Sequence, residues 1–251
     1  MLSKKISNQE ALRRFLIRSS SLAPQHSALF DRDSALFPMP HVDFSLYLIT
    51  DRHQTLGRPL VDVVDRALHA GVRAVQLREK DLDTRALLQL GEELRSLTRE
   101  RKAYLFINDR VDLAMAIGAD GVHLRADSVP VAVARRLVGP DRFVGISAHS
   151  ADEVTAAEAD GADFVVLGPI YDTPSKRPYG DPIGLRPLQD ANRRCTIPIF
   201  AIGGMTASRI GEVRRAGAFG VAVISSILSV PEVESATHHL LDMLTSRADY
   251  V

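Results

Sequence analysis

Eight short apolar runs rich in β-formers recur along this chain about every 20 to 30 residues, the length of one strand-plus-helix unit. They are SLYLIT (45–50), RAVQLR (73–78), AYLFIN (103–108), DGVHL (120–124), RFVGIS (142–147), DFVVLG (163–168), IPIFAIG (197–203) and FGVAVI (219–224). Helical patterns lie between them: in DTRALLQLGEELRSLTRER, Leu87, Leu90, Leu94 and Leu97 recur at three and four residues, as one helix face requires. Alternating strand and helix implies parallel strands and right-handed crossovers. A weak internal repeat supports the count. HAGVRAVQL, AIGADGVHL, ADGADFVVL and RAGAFGVAV each place a glycine (Gly71, Gly118, Gly161, Gly217) at a helix end before a strand, where a left-handed backbone would strain a side chain. These features predict an α/β protein, a single-domain (β/α)8 TIM barrel over residues 45–251, with its active site at the C-terminal strand ends. The rival, an open doubly wound sheet, would carry G-x-G-x-x-G after its first strand, and none follows.

Residues 1–44 differ from the rest, holding none of the 16 glycines. Ser7 with Glu10 reads as a capping box, and Leu12, Phe15, Leu16 and Ile17 supply an apolar face, so a short helix is expected there. Within the first 21 residues, Lys4, Lys5, Arg13, Arg14 and Arg18 against Glu10 alone also share the character of an organellar transit peptide. Residues 22–44, with Pro24, Pro38 and Pro40, read as a linker. The expectation is an N-terminal extension of helix plus linker.

The 251 residues carry 31 basic and 31 acidic side chains. Such neutrality argues against a nucleic-acid partner, which would draw on a basic excess, but not against a small phosphorylated ligand. Cys195 is the only cysteine, excluding an intrachain disulfide or Cys-rich metal site and fitting a cytoplasmic location. No apolar run reaches the roughly 20 residues of a membrane span. A homo-oligomer is compatible with this composition.

In a barrel the strand ends should carry the chemistry, and here polar residues gather at them. The first three strands end in Thr50-Asp51-Arg52, Gln76-Leu77-Arg78-Glu79-Lys80 and Asn108-Asp109-Arg110. His123 ends the fourth, followed by Arg125-Ala126-Asp127-Ser128, and Ser147-Ala148-His149 ends the fifth. After the sixth comes a loop of about 15 residues, from Gly168 through Thr173, Ser175 and Lys176 to Gly184, long enough for a lid or binding loop. Period-two alternation sends Gln76, Arg78 and Lys80 to one side and Leu77 and Glu79 to the other. A hydrogen-bond donor, a guanidinium and an ammonium then converge as a diphosphate requires, with Lys176 placed to close over it. An internal salt-bridge set with Asp51 and Asp109 is the bland alternative. Gly203-Gly204 and Ser225, after strands seven and eight, suit a phosphate held by backbone N–H groups; a tight turn and a helix cap would explain them equally. Asn108-Asp109 is read either as a cap of the next helix or, through Asp109, as a Mg²⁺ ligand. His123 reads as a hydrogen-bonded core residue, and His149 as a general base or a packed loop residue.

YLITDR, VQLREK, FINDRVDLA, ADGVHL, GISAHS, GADFVVLGPIYDTPSK and AIGG…GAFGVAVIS occur in one order. From about Leu46 to Leu228 the chain resembles the thiamine phosphate synthase and thiazole tautomerase superfamily. For a synthase, the resemblance implies that Gln76, Arg78, Lys80, Asn108 and Lys176 hold hydroxymethylpyrimidine diphosphate. It further places Thr173 and Ser175 on the thiazole phosphate and pyrophosphate side, and Gly204, Ile224 and Ser225 at the thiazole phosphate. Arg78, Lys176, Ser147 and His149 are the catalytic candidates. Pyrophosphate leaves, the thiazole nitrogen attacks, and thiamine phosphate forms. Synthases of this family typically read Gly-Gln-acid-Asp after the fourth strand, the last aspartate binding Mg²⁺ with the Asp109 equivalent. Here the residues are Arg125-Ala126-Asp127-Ser128, so Asp127 is the expected second ligand beside Asp109. The missing aspartate favours the tautomerase branch, which needs no metal and uses a histidine matching His149. The intact diphosphate set favours the synthase, the reading preferred here. A ligand-binding paralogue without turnover is the third alternative.

Overall fold

The computed structural model describes residues 41–173 and 181–246; the helix expected around Ser7–Ile17 lies outside them. The chain runs β1 (Leu46–Ile49), a 3₁₀ turn (Arg52–Gln54), α1 (Leu60–His69), β2 (Ala74–Leu77), α2 (Thr84–Glu100), β3 (Tyr104–Asn108), α3 (Val111–Ile117) and β4 (Gly121–Leu124). It continues through α4 (Val131–Val138), β5 (Phe143–Ala148), α5 (Ala151–Ala159), β6 (Phe164–Leu167), α6 (Arg186–Arg194), β7 (Ile199–Ala201), α7 (Ala207–Arg215), β8 (Gly220–Val223), α8 (Ser225–Leu228) and α9 (Val233–Thr245). All eight expected strands form, pair in parallel in sequence order, and close when β8 pairs with β1 through Leu46 and Val221. Gly71, Gly118, Gly161 and Gly217 all have positive φ.

Period-two alternation splits the barrel into two apolar layers. Leu46, Leu48, Val75, Leu77, Leu105, Ile107, Val165 and Leu167 face outward and pack under helix residues such as Val63, Leu94, Val154 and Ile210. Tyr47, Ala74, Phe106, Phe143, Phe164, Phe200 and Ala222 face inward. Each large side chain buried in this way contributes about 1.5–3 kcal/mol.

The inner layer is an aromatic plug centred on a residue that sequence reading assigns to the linker. Phe44, only 2% exposed, has ring centroids of Tyr47, Tyr104, Phe106, Phe143, Phe164 and Phe200 within 5.3–6.4 Å. Val42, also within the stretch read as a linker, is buried with the same inner layer. Val42 and Phe44 are out of phase with the inward residues Tyr47 and Ile49 of β1, so strand periodicity does not register them.

Glycines on neighbouring strands make room for the rings. A Cβ at Gly145 would stand 2.4 Å from Phe164 Cζ, and one at Gly121 2.6 Å from the Phe143 carbonyl oxygen. Gly145→Ala should cost about 1–3 kcal/mol of stability, the usual penalty of overpacking a filled core. Urea denaturation checks this; an unchanged midpoint would show that the plug has slack.

Candidate active site

A cavity of about 510 Å³ opens at the C-terminal ends of the strands. Its walls bring together Gln76, Arg78, Lys80, Asn108, Asp127, Ser147, His149, Thr173, Gly203, Gly204, Ile224 and Ser225, all singled out from sequence. Ser175 and Lys176 lie outside the described residues. Gln54, His123, Arg125, Met205 and Ser226 also line it, though none was assigned to substrate beforehand. Arg125 was visible in the fourth strand's exit loop, but its role depends on a contact that sequence spacing does not encode.

At β2 the alternation holds beyond the strand. Gln76 is buried and donates from Nε2 to the Tyr47 hydroxyl (3.1 Å), and the Arg78 N–H donates to Thr50 Oγ1 (2.9 Å). Glu79 turns the other way, is buried, and accepts from the backbone N–H (3.1 Å) and Nη1 (3.2 Å) of Arg52. Asp51 accepts from the His53 N–H (3.1 Å) and Gln54 Nε2 (2.6 Å), capping its own 3₁₀ turn.

At the ends of β3 and β4, Asp109 sits in the left-handed region with φ of 65°, a conformation that aspartate tolerates better than most residues. It does not cap α3, whose N-cap is Arg110. Instead Asp109 Oδ1 accepts the Ser128 hydroxyl, and Ser128 Oγ accepts the Arg125 N–H (2.8 Å). The Arg125 guanidinium pairs through Nη2 with Asp127 and places Nη1 3.7 Å from Asp109 Oδ2. The two carboxylates expected to share a metal thus converge on a guanidinium.

At the cavity floor, His123 Nε2 lies 3.0 Å from Ser147 Oγ. Burial, helped by the Arg78 charge, pushes the His123 imidazole down to about 3 from an ordinary 6.5. The unfolded chain therefore takes up a proton below about pH 6.5 that the folded chain refuses, and stability must fall as pH drops from 6.5 toward 3. His123→Asn should flatten this slope by up to about 1.4 kcal/mol per pH unit. Identical slopes in urea titrations between pH 7 and pH 4.5 would show that His123 is not a buried neutral group.

His149 lies at the cavity wall beside Glu153. Its backbone N–H donates to Glu153 Oε2 (2.8 Å), its Nδ1 lies 3.4 Å from the same oxygen, and the ring borders the cavity. Across the mouth, Gly203 and Gly204 have φ of 98° and 63°. Arg209 on α7 donates to the Gly204 carbonyl (2.5 Å) and stacks 4.4 Å over the ring of Tyr171, whose hydroxyl donates to Glu212. Burial and the neighbouring Glu212 push the Tyr171 phenol up to about 12. This cluster ties the β6 exit to the Gly203-Gly204 turn. Ser225 opens α8 rather than capping it, Ile224 being the N-cap.

Among known proteins, a Geobacter sulfurreducens protein provisionally named a thiamine-phosphate synthase is 52% identical over 209 residues, covering 83% of this chain and 98% of its own. The thiamine-phosphate synthase of Roseiflexus castenholzii is 44% identical over 210 residues, 84% of this chain and 92% of that one. The structure of thiamine phosphate pyrophosphorylase from Pyrococcus furiosus superposes with a TM-score of 0.73 at 37% identity, over 80% of this chain and 95% of that chain. The thiamine monophosphate synthase family itself matches residues 46–227, nearly the whole barrel, and the chain belongs to that family.

Proposed function

We propose that this cavity joins hydroxymethylpyrimidine diphosphate to thiazole phosphate, releasing pyrophosphate and forming thiamine phosphate. The observation that carries the reading is the convergence of Gln76, Arg78, Lys80 and Asn108, from adjacent strands, on a cavity that also reaches Gly203, Gly204 and Ser225. The first group holds the diphosphate, joined by Lys176, with Thr173 and Ser175 on the thiazole phosphate and pyrophosphate side. The second takes the thiazole phosphate on backbone N–H groups, with Ile224 beside it. Both substrates then meet over Ser147 and His123. Breaking the methylene carbon–oxygen bond expels pyrophosphate and leaves a cationic pyrimidine methylene, which the thiazole nitrogen attacks. Such a step depends on neutralising the leaving group and orienting two reactants rather than on a strong base.

Magnesium, the cofactor implied for Asp109 and Asp127, does not fit the residues as they stand. One Asp109 oxygen accepts the Ser128 hydroxyl, Asp127 pairs with Arg125, and that guanidinium faces both carboxylates. No step here runs through a metal. The proposed location is the cytoplasm, resting on the lone free thiol at Cys195; no described helix is long and apolar enough to cross a membrane.

The tautomerase reading draws on Ser128 and on His149 at the cavity wall. Purified protein given both substrates should yield thiamine phosphate, and Arg78→Met should lower that turnover by about 10² or more, the scale of losing a preorganised charge donor. A wild-type enzyme that forms no thiamine phosphate but aromatises a thiazole carboxylate phosphate, with loss on replacing His149, would replace the synthase reading. Gly204→Val should weaken thiazole phosphate binding at least about tenfold. Its Cβ would lie 2.8 Å from Arg209 Nη1 and from the Asp172 carbonyl oxygen, at a residue with positive φ. Unchanged affinity by calorimetry would move the phosphate site elsewhere.

A further inference from the structure

We propose that Arg125 is a substrate-binding, catalytic cation that neutralises the departing diphosphate in place of a divalent metal. This rests on the reading that the Arg78 side of the cavity holds a diphosphate. The guanidinium lines the cavity and is held between Asp109 and Asp127. Nη1 stands 3.7 Å from Asp109, too long for a hydrogen bond, so this edge of the fork remains able to donate to phosphate oxygens.

A magnesium ion held by these two carboxylates at about 2.0–2.1 Å would sit against a permanent positive charge. Relative to the Gly-Gln-acid-Asp pattern that the resemblance implies, this chain gains an arginine at 125 and lacks an aspartate at 128. Together the two departures gain one positive charge and lose one negative charge, so the loop's net charge shifts by the same two units that a divalent ion would bring. Ser128 also does what an aspartate cannot: its hydroxyl donates to Asp109 while its oxygen accepts the Arg125 N–H. A purely structural purpose is a poor account of the cluster. The Arg125 and Asp127 side chains are 42% and 69% exposed, and ion pairs this open add little to stability.

The test is calorimetry with inorganic pyrophosphate in EDTA and in excess Mg²⁺, run beside synthesis assays under both conditions. Wild-type affinity should agree within about twofold between the two, and Arg125→Met should weaken it about tenfold or more while circular dichroism stays unchanged. Arg125→Lys, which keeps the charge without the fork, should fall between them and serves as the folded comparison if the Met variant is unstable. Pyrophosphate binding that disappears in EDTA and returns with Mg²⁺, or an indifferent Arg125→Met, overturns the proposal. Thiamine phosphate formed only with Mg²⁺ would refute the Arg125 assignment and leave the synthase reading standing. Metal-free, Arg125-dependent pyrophosphate binding without any thiamine phosphate would do the reverse.

Discussion

Everything in this barrel depends on a strand showing alternate residues to opposite faces. In a closed eight-stranded sheet one face sees only the helices and the other only the barrel axis, so each strand must satisfy two environments at once. The outward positions are uniformly aliphatic. The inward ones change character along the axis, from the aromatic plug around Phe44 to Gln76, Asn108, His123 and Ser147 at the opposite end. Packing against the plug fixes the polar end: the Tyr47 hydroxyl holds Gln76, and the Phe164 ring lies 5.8 Å from the His123 ring.

That gradient also sorts the charges. On β2 the same alternation sends Arg78 and Lys80 toward the cavity and buries Glu79 against Arg52. A carboxylate adjacent in sequence to two cavity-lining cations is thereby turned away from the cavity and used to anchor the β1 exit. At the β4 exit the sequence has no such freedom, and carboxylates and guanidinium meet at the cavity edge.

Sequence reading recovers the parts of this architecture that are periodic or local. All eight strands, the four repeat glycines and twelve cavity-lining residues named beforehand follow from alternation, turn chemistry and motif spacing. What it misses is held by long-range contact. Phe44 gathers rings from five strands, yet nothing beside it in sequence marks it as core. Arg209 reaches the Gly204 carbonyl from α7, a contact that no local pattern encodes. Asn108-Asp109 reads as a helix cap or, through Asp109, as a metal ligand, because Asx residues favour helix starts and carboxylates favour Mg²⁺; the backbone at Asp109 turns left-handed and aims its carboxylate at the next strand's loop.

The Arg125 loop shows why a strand-end loop can exchange one kind of cation for another without disturbing the barrel below. A metal requires carboxylate lone pairs that converge at short, fixed distances, a condition set by every residue in the loop at once. A guanidinium carries its own charge on a flexible stem and needs only acceptors near its edges, so Asp109 and Asp127 can serve from different loops at unequal distances. The cost is that the charge is tethered and must be oriented by the protein. Ser128 supplies that orientation by linking the Arg125 backbone to the Asp109 carboxylate. None of these contacts reaches the aromatic plug or the outward aliphatic layer. The chemistry at this rim can therefore change over three or four residues while the alternation that builds the barrel stays intact.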